Sequence, residues 1–175
     1  MESKWEKVLF CANKWEFWFK LLIMTGIFGG YDVTLDAKGR FLLPAGFKKQ
    51  LSDEETIRFY MTKEVDGSLN LFTEKNWIPF YNRVSVLNSF NERERVVKRF
   101  YLDEAAMVEP DSAGRLLVPA HLKEFAGLQK DLKMCLKAEK VEIWDSNKYK
   151  QFFDSFSLDN LSRLTSEVLG GDRPV

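Results

Sequence analysis

DAKGRFLLPA, residues 36–45, returns 75 positions later as DSAGRLLVPA, residues 111–120. Each copy sets an Asp, a Gly three residues on, an Arg directly after it, a short apolar run and a Pro-Ala. The likeness continues downstream, where Leu69, Leu71, Phe72, Trp77, Phe80 and Tyr81 answer Val141, Ile143, Trp144, Tyr149, Phe152 and Phe153 at an offset of 72. Apolar spacing kept on both sides of a length change marks two versions of one folded unit rather than a short motif met twice.

Within each copy the residues imply a local structure. An Asp at the first turn position and a Gly at the fourth suit a type I turn that closes with a left-handed glycine bulge. Asp36 takes backbone N–H bonds inside the turn, and Gly39 supplies a positive φ without strain. Tyr31, Val33 and Leu35 alternate on one side of the strand before the turn, and Phe41 to Leu43 form a short apolar run after it. On this reading Arg40 projects from a rigid hairpin. Pro44 then opens a short helix over 44–50, since the first turn asks no N–H of it. Asp111, Gly114, Arg115 and Pro119 repeat the scheme.

With 175 residues, 45% of them hydrophobic, the chain is long enough to bury a core. Lys+Arg and Asp+Glu stand at 26 each, so a nucleic-acid partner would have to meet a local basic cluster rather than a basic protein. Two cysteines, Cys11 and Cys135, make no disulfide framework and suit a reducing compartment. One histidine and no close cysteine pair argue against a zinc site, so neither metal nor cofactor is expected.

Taken in order, residues 1–23 fall outside the two-unit plan. Lys14, Glu16 and Lys20 interrupt every apolar window long enough to span a membrane, which leaves an amphipathic surface helix, a packing arm, a poorly ordered tail or an over-extended start. Residues 24–88 hold the first unit, with strands near 57–62 and 68–72 joined at Asp66-Gly67 and a helix from Thr73 to about Leu87. Residues 89–103 form a connecting helix capped by Asn91, with Glu92 and Glu94 early and Lys98 and Arg99 late. Its Arg93, Arg95, Lys98 and Arg99 read either as a basic contact surface or as a solvated face with a Glu94–Lys98 pair. Residues 104–156 repeat the unit, with strands near 105–109, 132–137 and 141–144, a short helix over 119–125 and another over 146–156. Residues 157–175 add an amphipathic helix with Leu161, Leu164 and Val168 on one side, stopped by Gly170 and Gly171, and a frayed tail. Neither unit alone is large enough to bury both faces of its hairpins. The expected fold is therefore α+β: one shared β-barrel, pseudo-two-fold symmetric, with helices around it.

The run from Met24 through Asp36-Ala-Lys-Gly-Arg40 to Leu42-Leu43-Pro44-Ala45 resembles the opening of the bacterial MraZ family. Asp111-Ser-Ala-Gly-Arg115-Leu-Leu-Val-Pro119 and Val141-Glu-Ile-Trp144 resemble its second half, so the likeness covers about residues 24–155. The resemblance implies an AbrB-like swapped-hairpin fold, duplicated in one polypeptide. It implies a cytoplasmic, nucleoid-associated regulator that binds double-stranded DNA boxes in its own upstream region, governs the division and cell-wall gene cluster and assembles into a homo-oligomeric ring. The family's Asp-x-x-x-Arg signature falls on Asp36–Arg40 and Asp111–Arg115. That carries Arg40 and Arg115 over as DNA-binding residues with Lys38 beside them, and Asp36, Gly39, Asp111 and Gly114 as turn-shaping residues. Ala113 stands where the first copy has Lys38, so the first loop is expected to grip DNA more strongly.

Two rival readings belong to other classes. An enzyme would need a nucleophile–base–orienter set around His121, and none can be named; Asp36 and Asp111 as a carboxylate pair are better explained by their turns. A protein-interaction ring or barrel that reads no DNA fits the neutral charge but leaves two arginines in identical positions unexplained. Family members begin near the position of Met24, so residues 1–23 are expected to be dispensable for folding. A chain begun at Met24 should be soluble and keep the near-UV circular dichroism of the full chain; loss of either would refute this.

Overall fold

The computed structural model describes residues 27–51 and 58–170. The expectations placed on residues 1–23, on Cys11, on the start of the strand at 57 and on the end of the tail lie outside the described residues. Among the described residues eight strands and six helices follow one another: β1 (Gly29–Thr34), β2 (Arg40–Leu42), α1 (Ala45–Lys48), β3 (Phe59–Lys63), β4 (Leu69–Thr73), α2 (Glu74–Ser85), α3 (Glu92–Leu102), β5 (Ala106–Val108), β6 (Arg115–Leu117), α4 (Ala120–Ala126), β7 (Asp131–Lys137), β8 (Lys140–Asp145), α5 (Ser146–Asp154) and α6 (Leu158–Leu169). The strands make a six-stranded sheet in the order β1-β7-β8-β4-β3-β5 and a two-stranded ribbon, β2-β6. The two units are similar sets of strands and helices, and exchanging each strand for its counterpart (β1 for β5, β3 for β7, β4 for β8) turns the sheet order into its own reverse.

The expected turn is present. Gly39 has φ +76° and donates its N–H to the Asp36 carbonyl at 2.9 Å, and Asp36 N–H reaches the Arg40 carbonyl at 2.8 Å. The expected hairpin is not. Beyond that closing pair the two strands part: β1 runs antiparallel to β7, Gly29 opposite Leu136 through Thr34 opposite Asp131, while β2 pairs with β6. Burial explains the parting. Phe41 and Leu116, each 0% exposed, stand opposite one another at the centre of the ribbon. They reach the core shared by both units only if each short strand leaves its own hairpin for the other copy. Around them Leu43, Phe47, Phe59, Met61, Leu122, Leu132, Met134 and Ile143 make one cluster drawn from both copies.

Other local readings hold with adjustments. Pro44 and Pro119 occupy the N-cap positions of α1 and α4 rather than the first turn, with φ −57° and −55°. Thr73 precedes α2 but offers it no side-chain bond. Asn91 caps α3, its side-chain Oδ1 accepting from Arg93 N–H at 3.0 Å and Glu94 N–H at 3.4 Å. The Glu94–Lys98 pair is replaced: Lys98 Nζ donates to the Ser85 carbonyl at 2.7 Å, and Glu94 accepts from Asn88 N–H at 2.7 Å. Backbone groups orphaned between α2 and α3 outbid an exposed ion pair, which contributes little. Gly170 ends α6 in the right-handed region, φ −83°, so it stops the helix without a left-handed cap. No residue of α6 is buried, and Leu158 and Leu169 stand exposed.

A buried charge fastens the copies at the strand ends away from the ribbon. Glu64, at the β3–β4 turn, accepts from Lys140 Nζ of β8 at 2.5 Å, from Asn70 Nδ2 at 2.6 Å, from Val65 N–H at 2.9 Å and from the Tyr101 hydroxyl of α3 at 3.3 Å. Burial works against the charge, yet the bonds from Lys140, Asn70 and Val65 outweigh it and hold the carboxyl below its ordinary 4.5. A depressed carboxyl stabilises the fold above its unfolded pKa and loses that contribution as pH falls. Glu64→Gln should therefore lower unfolding stability by about 1–3 kcal/mol at neutral pH. The gap to wild type in urea melts should narrow once pH falls below 4.5.

Candidate nucleic-acid interface

Each aspartate builds its own turn. Asp36 Oδ1 accepts from Lys38 N–H and Arg40 N–H, both at 2.9 Å, and Asp111 Oδ1 accepts from Ala113 N–H at 3.0 Å and Arg115 N–H at 2.9 Å. The two turns are also stitched together: Leu43 N–H donates to the Gly114 carbonyl at 3.1 Å, and Val118 N–H to the Gly39 carbonyl at 3.0 Å. The ribbon therefore carries both turns as one rigid piece.

The second carboxylate oxygens hold the arginines. Arg40 Nε and Nη2 lie 2.9 and 2.7 Å from Asp36 Oδ2, and its Nη1 reaches across to Asp111 Oδ2 at 3.3 Å. Asp111 Oδ2 takes Arg115 Nε at 2.9 Å as well. Arg40 thus does not project freely from its turn; it lies along the ribbon, braced by both carboxylates. Arg115 is braced by one and is the more exposed of the two, 38% against 23% for the side chain. The Arg40 guanidinium beside Asp36 brings that carboxyl down to about 2. Backbone N–H from Arg115, together with its side chain, lowers Asp111 despite partial burial.

Further cations converge here that the linear sequence did not single out. The Lys48 ammonium of α1 lies over Gly114, 3.4 Å from where a Cβ would stand. Its counterpart 75 positions on, Lys123 of α4, lines a depression with Leu35, Asp36 and Ala37. Each turn is therefore flanked by a lysine from the opposite copy. The offset itself links Lys48 to Lys123, but only the strand exchange sets each beside the other turn. Lys38 is exposed at the tip of the first turn. The basic residues of α3 are committed in part elsewhere, with Arg95 Nη1 on the Ser89 carbonyl at 3.0 Å.

The register of the ribbon decides what it presents. Arg40 stands opposite Leu117, and Leu42 opposite Arg115. Phe41 and Leu116 point inward, so the outer face is a checkerboard of two arginines and two exposed leucines. A cavity of about 520 Å³ lies at the far end of β7 between α2 and the β7–β8 turn, with Asn70, Phe80, Arg83 and Lys137 in its lining. Among the described residues no group of three or more His, Cys, Asp or Glu side chains could hold a metal ion, and no helix is long and apolar enough to cross a membrane. His121 Nε2 lies 3.1 Å from the Glu104 carbonyl.

Comparison with known proteins gives a consistent result. A family model described as MraZ protein, antitoxin-like, matches residues 27–100 and again 101–170. The chain is 34% identical over 150 residues to the transcriptional regulator MraZ of Christiangramia forsetii, covering 85% of this chain and 96% of the relative. It is 38% identical over 128 residues to that of Cytophaga hutchinsonii, covering 73% and 85%. With that of Acetivibrio thermocellus it shares 33% over 125 residues, covering 71% and 85%.

The brace on Asp36 can be read by carboxyl NMR titration. Asp36 should titrate at about 2 in the wild-type protein and move back toward an ordinary aspartate in Arg40→Ala. An Asp36 that titrates normally in the wild type would show that the brace does not form in solution.

Proposed function

The chain belongs to the MraZ family, and from that premise we propose that it is a non-enzymatic, sequence-specific double-stranded DNA-binding regulator that represses its own division and cell-wall gene cluster. The observation that carries this reading is the pair of arginines set on matching turns and joined by a two-stranded ribbon. A ribbon of that width enters the major groove, where a guanidinium makes a bidentate bond to guanine O6 and N7. A guanidinium has five N–H donors. Arg40 spends them on aspartates at Nε, Nη1 and Nη2, which leaves one N–H on each Nη for a base. Lys38, Lys48 and Lys123 around the turns supply phosphate contacts, which set position without reading sequence.

The reading extends to architecture. The reversible sheet order supports a closed swapped-hairpin barrel with an approximate two-fold axis, the ribbon at one end. The exposed apolar residues of α5 and α6, among them Phe153, Leu158 and Leu169, support assembly into a homo-oligomeric ring. For a neutral chain one barrel on one box is a weak contact. A ring that engages repeated boxes in the upstream region gains through effective concentration. The protein then acts in the cytoplasm, at the nucleoid. With Ala113 in the place of Lys38, the second turn grips DNA less strongly than the first, and Arg115, braced by a single carboxylate, is the more exposed arginine.

The test compares Arg40→Ala and Arg115→Ala on a fragment of the gene's own upstream region and on scrambled DNA of equal length. Base reading predicts a loss of about 1–3 kcal/mol per arginine on the native fragment and little on scrambled DNA. Lys38→Ala should weaken both and flatten the salt slope by about one unit. Wild-type protein with no preference for its own upstream region at ~100 mM salt would sink the regulator reading in favour of a protein-interaction barrel.

A further inference from the structure

Leu42 is 56% and Leu117 50% exposed, although both lie in strands whose neighbouring residues, Phe41 and Leu116, are wholly buried. Neither leucine is needed for the core, and a polar residue would satisfy the ribbon equally well. Both stand on the face that carries Arg40 and Arg115, each directly opposite the other copy's arginine. Leu42 Cδ1 also lies 4.0 Å from where a Cβ on Gly114 would stand, so the side chain rests against the second turn beside the Lys48 ammonium. Apolar groups ringed by cations are poorly matched to water and to phosphate alike. They match a surface that is anionic at its rim and offers methyl groups on its floor.

The major groove is such a surface, since thymine presents its C5-methyl there. We infer that Leu42 and Leu117 are specificity-determining contacts that each seat the C5-methyl group of a thymine. The inference rests on the DNA-binding reading and adds to it a second kind of base. Spacing supports the assignment. Arg40 and Leu42 are two residues apart on one strand, about 6.7 Å, and bases follow one another at about 3.4 Å along a DNA strand. A guanine held by the arginine thus sets the leucine about two base steps away. Because β6 runs antiparallel to β2, Arg115 and Leu117 read the same guanine-to-thymine order in the opposite direction. The preferred site should hold thymine within two steps of each essential guanine.

The experiment uses the full-length protein and two versions of the gene's own upstream fragment, one with thymine and one with deoxyuridine throughout, which differ only in the C5-methyl groups. Wild-type protein should bind the deoxyuridine fragment about fourfold more weakly per thymine read, the change for one methyl group left in water. Leu42→Ala/Leu117→Ala, folded by circular dichroism because both sites are exposed, should bind the two fragments alike. Arg40→Ala should bind both more weakly while keeping a thymine preference. Equal wild-type binding to the two fragments overturns the inference, as does a thymine preference that survives in the double leucine variant. Failure of the underlying reading looks different: wild-type protein would then treat scrambled DNA and the native fragment alike.

Discussion

Three residues of β2 cannot satisfy themselves. The strand leaves its turn after the two backbone hydrogen bonds that close it, and its ladder partner is the equivalent strand of the other copy. This exchange is the constraint on which the rest of the molecule depends. It places Phe41 against Leu116 at the centre of a core common to both units, and it obliges β1 and β5 to pair with β7 and β3, again across the copies. Neither unit retains a complete sheet of its own. Half the chain would expose a strand edge and an apolar floor, which small domains do not tolerate.

The same exchange brings four charged side chains within reach of one another. Asp36 and Asp111 are each fully used: one oxygen organises the turn and the other holds a guanidinium. Asp111 Oδ2 serves both arginines, which couples the two turns electrostatically as well as through the ribbon backbone. A carboxylate so placed takes the conformational freedom out of an arginine before any ligand arrives. That lowers the entropy cost of a directional contact.

Glu64 plays a matching part away from the turns. Its bonds to Lys140 and Tyr101 tie the first unit's second turn to β8 and to the connecting helix. Lys140 Nζ also lies 3.6 Å from Glu142 Oε1, so the two copies contribute unlike residues to one polar cluster. Repetition governs the ends of the molecule that face outward together; here, where the copies meet at β4 and β8, the sequences have diverged into complementary partners.

The repeat, the turn type and the identity of the residues at each turn were legible in the sequence, because they depend on contacts within five residues. Asp36 must accept backbone N–H bonds from its own turn, and Gly39 must take a positive φ, wherever the flanking strands go. The capped start of α3 at Asn91 was legible for the same reason. The partner of each strand was not, since a run such as Phe41-Leu42 pairs equally well by local rules with the strand before it or with a copy 75 positions away. Burial of Phe41 and Leu116 in one core settles that choice. With it come the brace of Arg40 by Asp111, the place of Lys48 and Lys123 beside the opposite turns, and the outward face shared by Arg40, Leu42, Arg115 and Leu117. Local chemistry shaped each turn; packing across the copies joined two turns into one surface.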